Sequence, residues 1–375
     1  MRGAWHSARV RILQVAPFVA PLEEREVQLG GAQVVVSELA RELARAGHEV
    51  TLAAAEGSVV DGVRIAPLHV DPGRLIRADL REREGRRADD HAQRDAFGRV
   101  RAWIDAHAGE IDLVHAHAYD APAFDLLRGA PRPVVHTLHL PPNDREVVRA
   151  AASARDAYRV TVSEANARSW RAAGVEIAEV IHNGVDVASI PLGTRRGAHL
   201  LYAGRLSPEK GVETALDVAE LLGRGIVLVG GAYDERYHAS AIAPRVRRAA
   251  DVGDGPIRDA VYLGARPRRA VYALMARAAV TLLPVRWDEP FGLVAVESLA
   301  AGTPVVGYRR GGLAEIVDDE VGALVAPDDV DALARAVARS AGIPPLVCRG
   351  RAMAFDVTTM IDRYAALYRR LVART

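Results

Sequence analysis

Short apolar runs alternate with stretches of helical periodicity along nearly the whole chain. Buried strands that alternate with helices are typical of parallel sheets covered by helices on both faces. We therefore predict an α/β protein whose strands form two successive sets. The first set of strands is predicted at Val10–Ala16, Glu49–Ala54, Leu113–His117, Val134–Leu138, Val160–Val162 and Ala178–His182. The second set is predicted at Leu200–Ala203, Ile226–Val229, Ala260–Leu263, Val280–Pro284, Pro304–Gly307 and Ala323–Val325.

A polar, turn-rich segment at residues 187–197 separates the two sets of strands. The chain has 375 residues, 50% of them apolar, which is enough for two domains with separate cores. We predict an N-terminal domain at residues 1–190 and a C-terminal domain at residues 198–355. Residues 356–375 have apolar side chains at helical spacing, and we expect this helix to pack back toward the N-terminal domain.

Several classes of protein are disfavoured by composition. One cysteine, Cys348, argues against a disulfide framework and a cysteine-based metal cluster. A formal net charge of +1 provides no overall field for nucleic acid. The first nine residues contain no apolar segment typical of a secretory signal, and no apolar run is long enough to cross a bilayer. We expect a cytoplasmic protein, and the sequence leaves its oligomeric state open.

Residues 72–101 interrupt the alternation with many arginines and almost no aliphatic run. We interpret this segment as a solvated helix on the surface. The alternative is a basic helix that touches an anionic acceptor or makes peripheral contact with a membrane.

The stretch EPFGLVAVESLAAGTPVV, residues 289–306, places two glutamates beside an apolar helix. We predict that the helix begins near Pro290 and ends at Gly302. Its preceding loop then lies at the carboxyl edge of a parallel sheet, where ligands bind. Because Glu is rarely buried without a partner, Glu289 and Glu297 are predicted to face a polar ligand. The alternative is an acid at a helix N-terminus and a solvated Glu.

Two cations follow the first strand of the C-terminal domain. Arg205 and Lys210 lie on the loop after this strand, just before Gly211. An arginine can bind two phosphate oxygens while a lysine supplies a point charge, so the pair suits a diphosphate. The alternative is surface charge on a turn, which Pro208 would mark in any case.

Gly30 and Gly31 precede a predicted helix at residues 32–46 that Gly47 ends. Paired glycines at this point allow close backbone approach and leave amides for an anion. The three spaced glycines of a dinucleotide site are missing, which argues against nicotinamide binding.

Four motifs of the C-terminal domain resemble the donor half of retaining glycosyltransferases of family 4: residues 204–211, 263–265, 289–297 and 302–306. The N-terminal domain resembles the family at fewer places: residues 30–31, 114–117, 136–139, 162–164 and 182–186. The resemblance implies the GT-B fold, an α/β architecture with two Rossmann-like, doubly wound domains that face a central cleft. It also implies a nucleoside-diphosphate sugar as donor, a hydroxylated acceptor, no cofactor and no metal.

The same resemblance implies roles for four charged or titratable side chains. Arg205 and Lys210 would bind the donor's diphosphate and stabilise it as it leaves. Glu289 would accept hydrogen bonds from the transferred sugar, and Glu297 from the ribose. His139 would lie near the sugar.

Backbone and base contacts are implied in the same way. The amides of Phe291, Gly292 and Leu293 would meet the sugar and phosphate. Ala265 or Arg266 would lie beside the base. Gly31 would approach the phosphate or the acceptor from the N-terminal domain.

These features predict a retaining, metal-independent glycosyltransferase that acts on a small molecule, lipid, glycan or natural product. A nucleotide-sugar 2-epimerase of the same fold and, less well supported, a nicotinamide oxidoreductase are the alternatives. A zinc site is conceivable from His115, His117, His136 and His139, but neither a zinc-binding helix motif nor a cysteine cluster accompanies them.

Overall fold

The computed structural model describes residues 9–22, 31–75, 83–194, 197–232, 234–248 and 257–374. The chain forms two compact units: unit 1 comprises Met1–His182 and Met360–Thr375, and unit 2 comprises Asn183–Thr359. Each unit contains one sheet of seven strands. All the paired strands run parallel, as the alternation of strands and helices predicted.

The sheet of unit 1 has the strand order β3-β2-β1-β4-β5-β6-β7. Its strands are β1 (Arg11–Val15), β2 (Glu49–Ala53), β3 (Arg64–Ile65), β4 (Leu113–Ala116), β5 (Val134–Leu138), β6 (Tyr158–Thr161) and β7 (Glu179–Val180). Six of these overlap the predicted strands. The sequence analysis missed β3, because two residues that begin with an arginine have no apolar periodicity.

The helices of unit 1 cover the two faces of this sheet. They are α1 (Gly31–Arg45), α2 (Arg83–Ala106), α3 (Ala121–Leu127), α4 (Arg145–Ser153), α5 (Glu164–Ala172) and, at the end of the chain, α13 (Val357–Val372). Helix α1 stops where the sequence predicted, since Gly47 follows it with a φ of +91°.

Helix α2 accounts for the arginine-rich segment as far as the described residues reach. Phe97, Val100 and Ile104 are buried in the core of unit 1, an apolar face that the sequence analysis did not anticipate. On the outer side, Arg99 and Arg101 form ion pairs with aspartates one turn away on the same helix. The same two arginines also donate to the carbonyls of His69 and Arg128, so α2 is a surface helix tied to its neighbours and not a helix solvated all round. Among the described residues, no helix is long and apolar enough to cross a membrane.

The sheet of unit 2 has the order β10-β11-β9-β8-β12-β13-β14, so the strand order reverses direction beside β8. Its strands are β8 (Leu200–Ala203), β9 (Ile226–Val229), β10 (Arg247–Arg248), β11 (Ala260–Tyr262), β12 (Val280–Leu283), β13 (Val305–Tyr308) and β14 (Gly322–Val325). The short strand β10 was not predicted. The helices are α6 (Val212–Leu222), α7 (Glu235–Tyr237), α8 (Arg268–Met275), α9 (Leu293–Ala300), α10 (Leu313–Ile316), α11 (Val330–Ser340) and α12 (Pro345–Ala352).

The chain passes from unit 1 to unit 2 after His182, whereas the sequence analysis placed the linker at residues 187–197. Arg349 of α12 explains the difference, because its guanidinium donates hydrogen bonds to the carbonyls of Val187 and Ile190 at 2.7 and 2.9 Å. The amide of Gly193 also donates to the carbonyl of Ala301 at 2.9 Å. A polar, turn-rich segment is thus held to unit 2 through its backbone.

Candidate functional site

The loops after β8 and β12 meet at the carboxyl edge of the unit 2 sheet, where the strand order reverses. In an open α/β sheet this is the position at which ligands bind. The amide of Arg286 donates to the carbonyl of Glu209 at 2.8 Å and joins the two loops. Gly211 allows this approach, because its φ is +72° and a Cβ at that position would overlap the carbonyl of Pro284.

The two loops bring Lys210 and Glu289 together. Lys210 Nζ lies 2.7 Å from Glu289 Oε2, and only 18% and 16% of the two side chains are exposed. The indole N–H of Trp287 donates to the same oxygen at 2.9 Å. Lys210 Nζ also lies 4.6 Å from the centre of the Trp287 ring. An ammonium and a carboxylate are therefore held side by side at fixed positions.

Arg205 lies on the same loop as Lys210 and is more exposed. Its Nη2 is 3.7 Å from Glu209 Oε1, and 47% of its side chain is exposed. A pair this exposed contributes little stability, so the guanidinium can turn toward an anion. Its backbone is fixed by Tyr202, whose hydroxyl donates to the Arg205 carbonyl at 2.7 Å. Burial raises the pKa of Tyr202 well above its usual value, which keeps this donor protonated.

Helix α9 begins at Leu293 and not, as predicted, near Pro290. Gly292 adopts a φ of +110°, and this conformation separates Pro290 from the helix. Phe291 is buried with its ring edge toward Phe355, 5.8 Å between ring centres. The amide of Ala295 already donates to the Gly292 carbonyl at 2.9 Å, so the amides of Leu293 and Val294, which precede it, are the ones that can meet an anion at the helix N-terminus.

Glu297, the fifth residue of α9, is buried, with 8% of the residue exposed. Arg268 Nη2 donates to its Oε1 at 2.6 Å. The hydroxyl of Tyr272 donates to the same oxygen at 3.2 Å. Arg268 and Tyr272 are four residues apart on α8, and the sequence analysis named neither of them.

The other predicted binding residues of unit 2 and of α1 lie at the surface. Ala265 and Arg266 are exposed on the loop after β11, where Arg266 Nη1 donates to the carbonyl of Ala265 at 3.0 Å. Gly31 is the exposed first residue of α1. Gly30 lies outside the described residues.

His139 follows β5 in unit 1 and is 7% exposed. Its Nε2 lies 3.0 Å from Nδ1 of His117, the residue that follows β4, and one of the two nitrogens donates. Burial lowers the pKa of His139 to about 4, so the imidazole is neutral at pH 7. Whatever His139 contacts, it can act as a hydrogen-bonding group and not as a fixed cation.

The other predicted histidines are buried too, and of these His115 forms a polar layer with α13, whereas the ring of His136 stacks on Phe124 of α3. His115 makes hydrogen bonds with the hydroxyl of Tyr368 at 2.6 Å and with that of Thr137 at 2.7 Å. Tyr364 reaches the same Thr137 oxygen at 2.9 Å. Burial lowers the pKa values of His115 and His117 well below the usual value. Hydroxyl partners and neutral rings indicate a packing role for His115.

The structure therefore joins Lys210 to Glu289 and holds Arg205 on the same loop. His139 and Gly31 are placed in unit 1, where their predicted contacts with substrate stay predictions. Among the described residues, no group of three or more His, Cys, Asp or Glu side chains is placed to hold a metal ion.

Three contributors were missed by sequence reasoning: Trp287, Arg268 and Tyr272. Trp287 could have been found, because it lies two residues before Glu289 in the same motif. Arg268 and Tyr272 have the four-residue spacing of one helix face, but their sequence gives no sign that they point toward α9.

Two family models match the chain in succession. Residues 29–189 match the family described as Glycosyltransferase Family 4, and residues 196–341 match the family described as Glycosyl transferases group 1.

Known proteins resemble the chain over most of its length. Glycogen synthase of Mycobacterium tuberculosis (strain ATCC 25618 / H37Rv) is 30% identical over 96% of this chain and 94% of its own. Phosphatidyl-myo-inositol mannosyltransferase of Mycolicibacterium smegmatis is 31% identical over 82% and 80%. Among solved structures, HepE of Anabaena in complex with UDP superposes with a TM-score of 0.72 at 20% identity, over 96% of this chain and all of the other. The chain belongs to glycosyltransferase family 4 and is a glycosyltransferase with the GT-B fold.

Proposed function

We propose that the protein transfers a sugar from a nucleoside-diphosphate sugar to an acceptor hydroxyl, with retention of anomeric configuration and without a divalent metal. The observation that carries the proposal is the 2.7 Å pair of Lys210 and Glu289 at the carboxyl edge of the unit 2 sheet. In a nucleotide sugar the phosphate and the first sugar hydroxyls are neighbours. An ammonium beside a carboxylate presents a donor for phosphate oxygens next to an acceptor for the hydrogen bonds of sugar hydroxyls.

The charge that develops on the leaving diphosphate requires positive potential. Lys210, Arg205 and the first amides of α9 supply it from preorganised positions, which is an efficient way to stabilise a transition state. These groups take the part that Mg²⁺ plays in sites where carboxylates cluster beside phosphates.

Retention is supported by the state of the candidate bases. Glu289 Oε2 already accepts hydrogen bonds from Lys210 Nζ at 2.7 Å and from the Trp287 indole N–H at 2.9 Å, so this oxygen is engaged by protein donors and is not placed to take the acceptor proton. We therefore propose a front-face reaction. The bond from the anomeric carbon to the β-phosphate oxygen breaks, the acceptor oxygen bonds to that carbon, and the acceptor proton passes to the departing phosphate oxygen.

The sequence and the structure do not identify the sugar, the nucleotide base or the acceptor. The test therefore begins with a panel of nucleotide sugars. Thermal shifts with UDP-, GDP-, ADP- and dTDP-sugars identify the donor. That donor is then incubated with acceptors that the relatives' names suggest, such as phosphatidylinositol and glycogen, and with myo-inositol phosphates. We expect nucleoside diphosphate to be released only when an acceptor is present. A new nucleotide sugar formed without any acceptor would instead favour the epimerase and contradict the proposal.

A further inference from the structure

Glu297 has two protein partners that its proposed role as a ribose ligand does not explain. Both bonds, from Arg268 at 2.6 Å and from Tyr272 at 3.2 Å, fall on the same oxygen, Oε1. Only 10% of the Glu297 side chain is exposed, against 32% of that of Arg268. A carboxylate that is so deeply buried needs a partner. Because both protein partners bind Oε1, the second oxygen, Oε2, can be directed toward a ligand.

The two partners form a rigid support on one face of α8. They are four residues apart, so they are neighbours on the helix. The Arg268 guanidinium lies 5.5 Å from the centre of the Tyr272 ring, which restricts its own movement. Tyr272 is buried, with 7% exposed, and anchors this face of α8.

We propose that Arg268 is a positioning residue that aims Glu297 at the ribose hydroxyls of the donor nucleotide. The inference rests on the proposed function, in which Glu297 is the ribose ligand. Arg268 acts on the ribose only through Glu297, with Tyr272 as the second contact that fixes Oε1. The donor's affinity therefore depends on a residue that does not itself bind it.

Arg268 holds the Glu297 side chain in one conformation before the donor binds. Without Arg268 this side chain is free to move, and binding of the donor must restrict it. Ordering one flexible side chain reduces affinity by roughly 2- to 13-fold, so we expect Arg268→Ala to weaken binding of the nucleoside diphosphate by about tenfold. This loss should be confined to ligands that carry ribose hydroxyls. A ligand without them has nothing for Glu297 to hold.

The experiment is a binding cycle by calorimetry with UDP and 2′,3′-dideoxy-UDP. ADP and GDP are measured in the same way, each with its own 2′,3′-dideoxy analogue. The nucleotide that binds the wild-type protein is then used, with its analogue, for all the variants. In the wild type, loss of the two hydroxyls should weaken binding by about tenfold or more, as for a charge-assisted contact. In Arg268→Ala this penalty should shrink to about threefold or less. Arg268→Lys should restore part of it, and Arg269→Ala, an exposed neighbour, should leave it at the wild-type value.

Glu297→Ala separates failure of the inference from failure of the proposed function. If Glu297→Ala keeps the full dideoxy penalty, Glu297 is not the ribose ligand and the proposed role is wrong. If Glu297→Ala abolishes the penalty and Arg268→Ala keeps it, the positioning role is overturned. Equal weakening of UDP and dideoxy-UDP by Arg268→Ala would also overturn it, because Arg268 would then bind another part of the nucleotide.

Turnover provides a second readout that a purely structural role would not produce. With the native donor sugar, Arg268→Ala should raise KM with little change in kcat, because ribose contacts are similar in the ground and transition states. If Arg268→Ala does not fold, Arg268→Gln and Tyr272→Phe are carried through the same cycle, with the smaller effect expected for Tyr272→Phe. A fall in kcat at unchanged KM would contradict the inference.

Discussion

Glu289 and Lys210 form an ion pair, with Oε2 and Nζ 2.7 Å apart. A diphosphate that binds Lys210 must therefore share it with a carboxylate. We predict that Glu289→Gln lowers kcat by at least tenfold, since a sugar contact at the reacting centre is weakened. The same variant should bind UDP, or the equivalent diphosphate, at least about fivefold more tightly, because two like charges about 4 Å apart repel each other by about 1 kcal/mol even in water.

Calorimetry of the free diphosphate and steady-state rates of transfer check both parts of this prediction. Glu220→Gln is the control, since it removes a carboxylate of α6 that pairs with Arg245 and with neither of the two cations proposed for the diphosphate. Weaker diphosphate binding by Glu289→Gln would mean that Glu289 does not compete for Lys210.

The two cations should differ in importance. We predict that Lys210→Ala and Arg205→Ala each weaken diphosphate binding by about 1.5–3 kcal/mol, the range for a charge-assisted hydrogen bond. The loss should be larger for Lys210→Ala, since it also leaves the mostly buried Glu289 without its cation. Isothermal titration calorimetry with the free nucleoside diphosphate measures both losses of affinity. Unchanged affinity in both variants would mean that the diphosphate does not bind at this edge of the sheet.

At this scale the sequence singled out polar residues that the structure brings together, but it did not predict their contacts. Lys210 and Glu289 were predicted from motif spacing and resemblance, but a sequence does not show that two loops 79 residues apart place them in contact. The support of Glu297 by Arg268 was missed for the same reason. This contact depends on the directions of the side chains on α8 and α9. Those directions are known only once both helices are packed on the sheet.

At the scale of elements, strands within apolar runs were predicted well, including the two-residue β7, whereas β3 and β10 were not predicted. β8 and β12 are fully buried apolar strands with clear signals, whereas β3 and β10 have two residues each and begin with arginine. The start of α9 was misplaced because Pro290 also suits a turn. Only the positive φ of Gly292 decides between a turn and a helix there.

Gly211 joins two elements of the site, and this predicts the effect of Gly211→Ala. The new Cβ would overlap the carbonyl of Pro284 at a φ of +72°, so the loop that carries Lys210 must move away from the loop that carries Glu289. We expect diphosphate affinity to fall at least tenfold and the thermal midpoint to drop, as strain at a positive φ costs about 1–3 kcal/mol.

Gly223→Ala is the control for this prediction. Gly223 ends α6 with a φ of +59°, but among the described residues a Cβ there would meet nothing within 4 Å. It should destabilise by about 1 kcal/mol or more through the backbone alone and leave diphosphate affinity unchanged. Equal losses of affinity in the two variants would show that the effect of Gly211→Ala is general destabilisation.

At the scale of the whole molecule, the last helix belongs to unit 1 although the residues before it belong to unit 2. The apolar periodicity of residues 356–375 predicted a helix. It did not predict that Tyr364 and Tyr368 would bond to Thr137 and His115, because pairs more than 200 residues apart leave no local pattern. The sequence did not predict the boundary between the two units after His182. Hydrogen bonds to the backbone hold residues 187–193 to unit 2, and such bonds leave no pattern in the sequence.

The buried histidines make the stability of unit 1 depend on pH. Burial lowers the pKa of His139 to about 4, and burial and the charge of Arg159 lower that of His136 to about 3. In the unfolded chain each of these histidines takes up a proton as the pH falls below about 6.5. In the folded chain the same histidine stays neutral until the pH approaches its lowered pKa. The free energy of unfolding should therefore fall as pH falls from about 6.5 to 4, by up to about 1.4 kcal/mol per pH unit for each buried histidine.

Hydrogen exchange, corrected for intrinsic rates, measures this prediction locally. Amides of β4 and β5, which carry His115 and His136, should lose protection between pH 7 and 5. The strands β13 and β14 of unit 2 are the internal control, since their residues Val305–Tyr308 and Gly322–Val325 neither include nor adjoin a histidine. Equal loss of protection in all four strands, or none in β4 and β5, would contradict the assignment.

The central claim is that fixed protein cations, and not a metal, stabilise a leaving diphosphate during transfer with retention. The most direct test is to follow transfer by ¹H NMR from the α-linked donor sugar that the panel identifies, in excess EDTA. The account predicts an α-linked product as the first product, formed at the same rate with EDTA as with added Mg²⁺ or Mn²⁺. A β-linked first product, or loss of transfer in EDTA that Mn²⁺ restores, would contradict it.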